Sequence, residues 1–146
     1  MKRNPIIVVC GILLTFFLFW YYRAHPLGTQ VEIRGRVFTV EVAVTEEEKQ
    51  LGLGNRDSLV SDHAMLFVYQ SPGQYSFWMK GMRFPIDIIW IKDQTIVDIS
   101  KNVPVSTTSA LPSYAPKEPV NKILEINAGI VDRLGIEVGD TVRFLR

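Results

Sequence analysis

Apolar residues fall along this chain in two unlike patterns, one continuous and one alternating. Residues 6–22 form a run without charge that includes Ile6, Ile7, Val8, Val9, Ile12, Leu13, Leu14, Phe16, Phe17, Leu18 and Phe19. On an insertion scale these side chains favour a bilayer by about 3 to 7 kcal/mol, whereas a soluble helix would leave most of that surface in water. As a helix, roughly 17 residues rise about 26 Å, just under the thickness of a hydrocarbon core, and Trp20, Tyr21 and Tyr22 supply interfacial aromatics at one end. Lys2 and Arg3 precede the run and only Arg23 closely follows it, so the positive-inside rule puts the amino terminus in the cytoplasm. The expectation is a single-pass cell-membrane anchor over residues 1–26, with an extracytoplasmic domain over residues 27–146.

A cleaved signal peptide, leaving a secreted or periplasmic protein, is the alternative, but no small-x-small cleavage site stands clearly before Leu27. Cys10 follows Val9, where a lipid-attachment motif needs a small residue, and the apolar run continues past it, so lipidation is not expected. As the only cysteine, Cys10 also leaves the outer domain without a disulfide. Its stability has to come from packing.

Beyond the run, alternation takes over. Val31 and Ile33, then Phe38, Val40, Val42 and Val44, flank Arg34-Gly35-Arg36 with period two, which predicts a hairpin over residues 30–44. Thr45-Glu46-Glu47-Glu48 has the spacing of a capping box and predicts a short helix to Gly52. Strands are expected at residues 65–69, 75–80 and 86–91, separated by Ser71-Pro72-Gly73 and by residues 81–85. A further strand is expected at 95–103. Pro104, Pro112, Pro116 and Pro119 then mark a long irregular loop, either a binding loop or a structural crossover. A strand at 122–126, a short helix stopped by Gly135, and a strand at 141–145 complete the pattern. About eight strands and two short helices make the domain mainly β: a compact sandwich, jelly roll or small barrel.

Composition adds exclusions. The chain of 146 residues suits one domain. Removing Lys2, Arg3 and Arg23 leaves 13 basic against 15 acidic residues, so no basic surface for nucleic acid is implied. Outside the span and the juxtamembrane His25, the only histidine is His63, in Ser61-Asp62-His63-Ala64, which reads as a surface turn and cannot build a zinc site. No Gly-x-Ser-x-Gly, phosphate loop or calcium loop occurs. No metal or cofactor is expected.

The candidate chemistry lies in polar residues set against apolar strands. Asp87 falls within Pro85-Ile86-Asp87-Ile88-Ile89 and Glu125 between Leu124 and Ile126. A buried carboxylate without a partner costs several kcal/mol, so each is expected to be satisfied structurally, Asp87 by Arg56, Lys80, Arg83 or backbone amides. The other role open to them is ligand binding or proton transfer. Tyr75, Phe77, Trp78, Phe84 and Tyr114 could make a shallow ligand platform. Phe77 and Trp78 are adjacent in a strand and point to opposite faces, so both are core if both faces are covered. Asp140, in a Gly-Asp turn, is expected to accept backbone amides.

Gly52-Leu53 with Arg56, Met65-Leu66-Phe67, Phe77-Trp78-Met79-Lys80, Pro85-Ile86-Asp87-Ile88, Tyr114, Leu124-Glu125, Ala128-Gly129 and Gly139-Asp140 occur here in that order. In this set the chain resembles the domain of unknown function 192 family, small bacterial and archaeal proteins, over residues 31–144. It departs at Gly54, where methionine is usual, at Ala64, where glycine is usual, and at Gly81-Met82, where Asn-Thr usually follows the lysine. The resemblance implies a compact β-rich fold and brings no activity, substrate or cofactor.

Two function classes follow. The expected one is a non-catalytic binding or interaction module, monomeric in its outer domain, taking a glycan or small anionic ligand at Arg56, Trp78, Lys80, Asp87, Tyr114 and Glu125. The alternative is a hydrolase-like enzyme with Asp87 and Glu125 as acid and base, which needs both carboxyls in one cleft roughly 5 to 10 Å apart.

Overall fold

The structure, a computed structural model, describes residues 30–106 and 111–145. The expected membrane anchor lies outside the described residues, among which no helix is long and apolar enough to cross a membrane. The elements run β1 (Gln30–Ile33), β2 (Arg36–Ala43), α1 (Glu46–Leu51), β3 (His63–Gly73), β4 (Phe77–Trp78), β5 (Ile86–Lys92), β6 (Thr95–Val103), β7 (Ser113–Tyr114), β8 (Val120–Asn127), α2 (Ile130–Leu134) and β9 (Val142–Leu145).

Local chemistry accounts for several of these. Arg34 and Gly35 both take positive φ, 49° and 77°, the two-residue turn whose twist suits a tight hairpin between β1 and β2. Thr45 caps α1 through the Glu48 amide, and the Glu48 carboxylate returns a bond to the Thr45 amide at 2.9 Å. Thus α1 bridges β2 and β3, which pair in parallel and therefore need a crossover.

Seven strands form one sheet in the order β6-β5-β8-β3-β2-β1-β9, and β4 pairs separately with β7. The large sheet curls into a half-barrel. The start of β6 meets the segment leading into β9, where Gly139 donates to the Ile96 carbonyl at 2.8 Å and Val142 to that of Gln94 at 2.7 Å. A cluster on the inner face draws on all seven strands, among them Val31, Phe38, Leu66, Ile89, Ile96, Leu124 and Val142, with Ile130 and Val131 of α2. A second cluster on the other face includes Met65, Phe67, Ile88, Trp90 and Ile123, with Leu53, Leu59, Met79 and Met82 from the segments that cover it.

The mainly β fold with two short helices stands, with differences from the sequence reading. No second large sheet completes a sandwich among the described residues; the outer layer is α1, its following turn and the β4–β7 ribbon. β3 continues through Ser71-Pro72-Gly73, because a register irregularity against β8 between Val68 and Gly73 removes the need for a Pro72 donor. The strand expected at 75–80 contracts to Phe77–Trp78. Only Phe77 of that pair packs on the core; Trp78 is 54% exposed. The loop after β6 is tied down by Asp98, whose carboxylate accepts the amides of Ile99 at 2.9 Å and Lys117 at 3.1 Å.

Candidate functional site

β8 lies between β3 and β5, and the register decides what each of its side chains faces. Glu125 stands opposite Met65 on one side and Ile88 on the other, while Asp87 stands opposite Ile126. Cross-strand partners share a face and successive residues alternate, so Asp87 and Glu125 project from opposite faces of the sheet. They do not meet in one cleft, and the geometry required of an acid and base pair is not formed.

Asp87 is fully buried and doubly bonded: one carboxylate oxygen accepts the Asn102 amide at 2.7 Å, the other the Val131 amide at 2.9 Å. The cations considered as its partners are engaged elsewhere. Arg56 forks onto Glu41 with bonds of 2.7 and 2.8 Å, and Arg83 pairs with Asp57. Lys80 lies 6.0 Å from the centre of the Trp78 ring. Asp87 is thus satisfied by amides from β6 and α2.

Glu125 departs from the expectation that it is satisfied. It is 6% exposed, and its Oε2 is buried without a hydrogen-bond partner among the described residues. Burial pushes its carboxyl up to about 8, with the Arg56 charge pulling weakly the other way. The side chain sits at a cleft of about 200 Å³ whose lining includes Gly52, Leu53, Phe67, Tyr69, Phe77, Trp78, Met82, Lys49 and Lys80. Phe77 meets Phe67 edge-on at 4.7 Å and Trp90 at 5.7 Å, fixing the aromatic wall. Gly52, the residue after α1, takes φ 53° and ψ −134°; a Cβ there would lie 3.4 Å from the Phe67 ring and 3.8 Å from Glu125 Oε2.

Three of the six residues expected to bind, Trp78, Lys80 and Glu125, share this cleft. Arg56 is not on its lining but is held by Glu41, and the pairing lowers the Glu41 carboxyl below its usual range. Tyr114 pairs with Phe77 across the β4–β7 ribbon and packs against the second cluster, buttressing the wall. Asp87 belongs to the other face. Sequence reasoning passed over Lys49, Phe67 and Tyr69. Lys49 lies 4.4 Å over the Tyr69 ring, Tyr69 stacks on Tyr75 at 3.6 Å, and burial pushes the Tyr69 hydroxyl up to about 12. The capping box that places α1 was the available signal for Lys49. His63, at the start of β3, contacts Asp62 through Nδ1 at 3.0 Å. Among the described residues no group of three or more His, Cys, Asp or Glu could hold a metal ion.

The domain of unknown function 192 family, described as uncharacterized ACR, matches residues 29–144. The chain belongs to this family. Among solved structures, a protein of unknown function from Novosphingobium aromaticivorans is similar, with 32% identity and a TM-score of 0.72 over 82% of this chain and 90% of that one. A candidate transcription regulator from Sinorhizobium meliloti is 37% identical with a TM-score of 0.69, over 79% of this chain and 92% of that one. No curated protein matches. Of the departures from the usual family pattern, Ala64 lies in the inner-face cluster, while Gly54 and Gly81-Met82 lie close together beside the cleft. The Asn55 amide, next to Gly54, donates to the Gly81 carbonyl at 2.8 Å; a Cβ on Gly54 would come within 2.8 Å of the Leu51 carbonyl oxygen; and Met82 is buried against the cleft.

Proposed function

We propose that this family member is a non-catalytic binding module for a small polar ligand, held outside the cytoplasm by an amino-terminal anchor, and that the cleft over Glu125 receives the ligand. The observation that carries the reading is the buried carboxyl with a free oxygen at an aromatic-walled cleft. A polar group kept without a partner in a packed layer costs about 1 to 3 kcal/mol or more, a cost a ligand donor would remove. Trp78, exposed at the rim, offers a flat face for stacking. The unlike surroundings of Asp87, closed by two amides, favour binding at Glu125 over chemistry shared between them.

The test is a thermal-shift screen of the full-length protein in detergent against saccharides, organic anions and amines, repeated with Trp78→Ala. At least one compound should raise the Tm of the wild type and lose that effect in the variant. A screen in which nothing shifts the wild type overturns the binding reading. The anchor has its own test: a carboxy-terminal fusion to a reporter active only outside the cytoplasm should be active, and activity of a cytoplasm-only reporter would reject it.

A further inference from the structure

The charges around the cleft narrow the ligand, given the reading of this cleft as the binding site. Glu125 is buried and its Oε2 lacks a partner, and the cations nearby make their contacts with other groups. From the turn after α1, Arg56 is neutralised by Glu41 on β2 through two bonds. From α1, Lys49 pairs with Glu46 at 3.1 Å. From the turn after β4, Lys80 lies over Trp78. β3 contributes the uncharged Met65 and Phe67 and the Tyr69 hydroxyl, which burial keeps neutral; β5 contributes Ile88 and Trp90. The floor of the cleft is therefore a buried carboxyl with one oxygen that no donor reaches, within walls of aromatic rings.

We propose that the cleft takes a small primary ammonium ion with an apolar body, its charged nitrogen seated on the Glu125 carboxylate and its body against Phe67, Phe77 and Trp78. An ammonium brings both the donors that Oε2 lacks and the countercharge that makes an ionised carboxylate tolerable in a buried site. Aromatic faces attract cations, and the chain's own Lys49 and Lys80 already lie over Tyr69 and Trp78. An anion would find Lys49 and Lys80 on the lining but would bring no donor to the buried Oε2. The proton balance is explicit. With the empty-site carboxyl at about 8, Glu125 is mostly in the acid form at pH 7. Binding converts it to the carboxylate paired with the ammonium, and its proton leaves to solvent.

The experiment is calorimetric titration of the full-length protein in detergent with three probes of one skeleton: phenethylamine, phenethyl alcohol and phenylacetate. Each is run at pH 7 in two buffers of different ionisation enthalpy. Phenethylamine should bind at least about tenfold more tightly than the other two. It should release close to one proton, and its Kd should weaken about tenfold between pH 7 and pH 6. Glu125→Gln should remove the proton release and weaken phenethylamine at least about tenfold, leaving the alcohol within about twofold. If that variant fails to fold, the proton count of the wild type decides alone. Binding of the alcohol or phenylacetate as tightly as the amine, or amine binding without proton release, overturns the ammonium assignment and leaves the cleft as a binding site. Failure of all three probes overturns the ammonium assignment, and failure of the wider thermal screen as well removes the site.

Discussion

Asp87 on β5 accepts the backbone amide of Val131 at 2.9 Å, so a strand carboxylate caps a helix 44 residues further along the chain. The N-cap of α2 is Gly129, which has no side chain to do this, and the second Asp87 oxygen ties β6 through Asn102. Asp87→Ala would strip a buried amide and a partly buried one of their acceptor. A loss of about 3 to 5 kcal/mol is expected, with a smaller loss for Asp87→Asn, which keeps one acceptor oxygen. Urea unfolding curves of both variants check it, and amide exchange at Val131 should quicken first.

Glu125 gives the protein a pH dependence opposite to that of a salt-bridged acid. Burial pushes its folded carboxyl up to about 8 from the ordinary 4.5, so between these pH values the unfolded chain holds fewer protons than the folded one. Stability is therefore full below pH 4.5 as far as this group is concerned, and falls by about 1.4 kcal/mol per unit toward pH 8. Glu125→Gln should flatten that slope and be the more stable protein at pH 8. Thermal unfolding across the range measures both.

Gly52, on the lining of the cleft, takes a conformation that side chains avoid. Gly52→Ala should cost about 1 to 3 kcal/mol from the backbone conformation, since its Cβ would make only ordinary contacts with Phe67 and Glu125. Gly35→Asn is the control: φ is also positive there, but a Cβ would meet nothing within 4 Å, and asparagine visits the left-handed region readily. Melting temperatures should fall clearly for the first and little for the second.

Asp98→Ala should free the loop that its carboxylate fastens at Lys117. Trypsin cleavage after Lys117 is expected to become several-fold faster at temperatures where the fold persists, because only local contacts are lost. Unchanged cleavage would mean that Tyr114 and its pairing with Phe77 suffice to hold the loop.

Elements set by neighbouring residues were legible in the sequence. The hairpin at Arg34-Gly35 and the helix behind Thr45 and Glu48 are local matters, decided by turn geometry and by a capping pair three residues apart. β7 was not legible, since Ser113 and Tyr114 become a strand only by meeting Trp78 and Phe77. The carboxylates show the same limit. Both positions read as acids in apolar strands, and the offset of one residue that sends Asp87 to α2 and Glu125 to the cleft is a long-range register no local pattern contains. That Asp87 finds amides while Glu125 Oε2 finds none depends on what covers each face.

The unequal settings of Trp78 and Trp90 make the fold its own optical instrument. Trp90 is fully buried, donates to Ser100 at 3.1 Å and abuts Phe77, so its emission reports whether the layers are assembled. Trp78 is open to water at the rim of the cleft and reports occupancy. An occupant that dries the rim should shift the long-wavelength part of the fluorescence and spare the rest, whereas melting moves the short-wavelength part toward the red. With Trp20 replaced by phenylalanine, ligand capture and loss of structure thus carry different colours in an unlabelled chain.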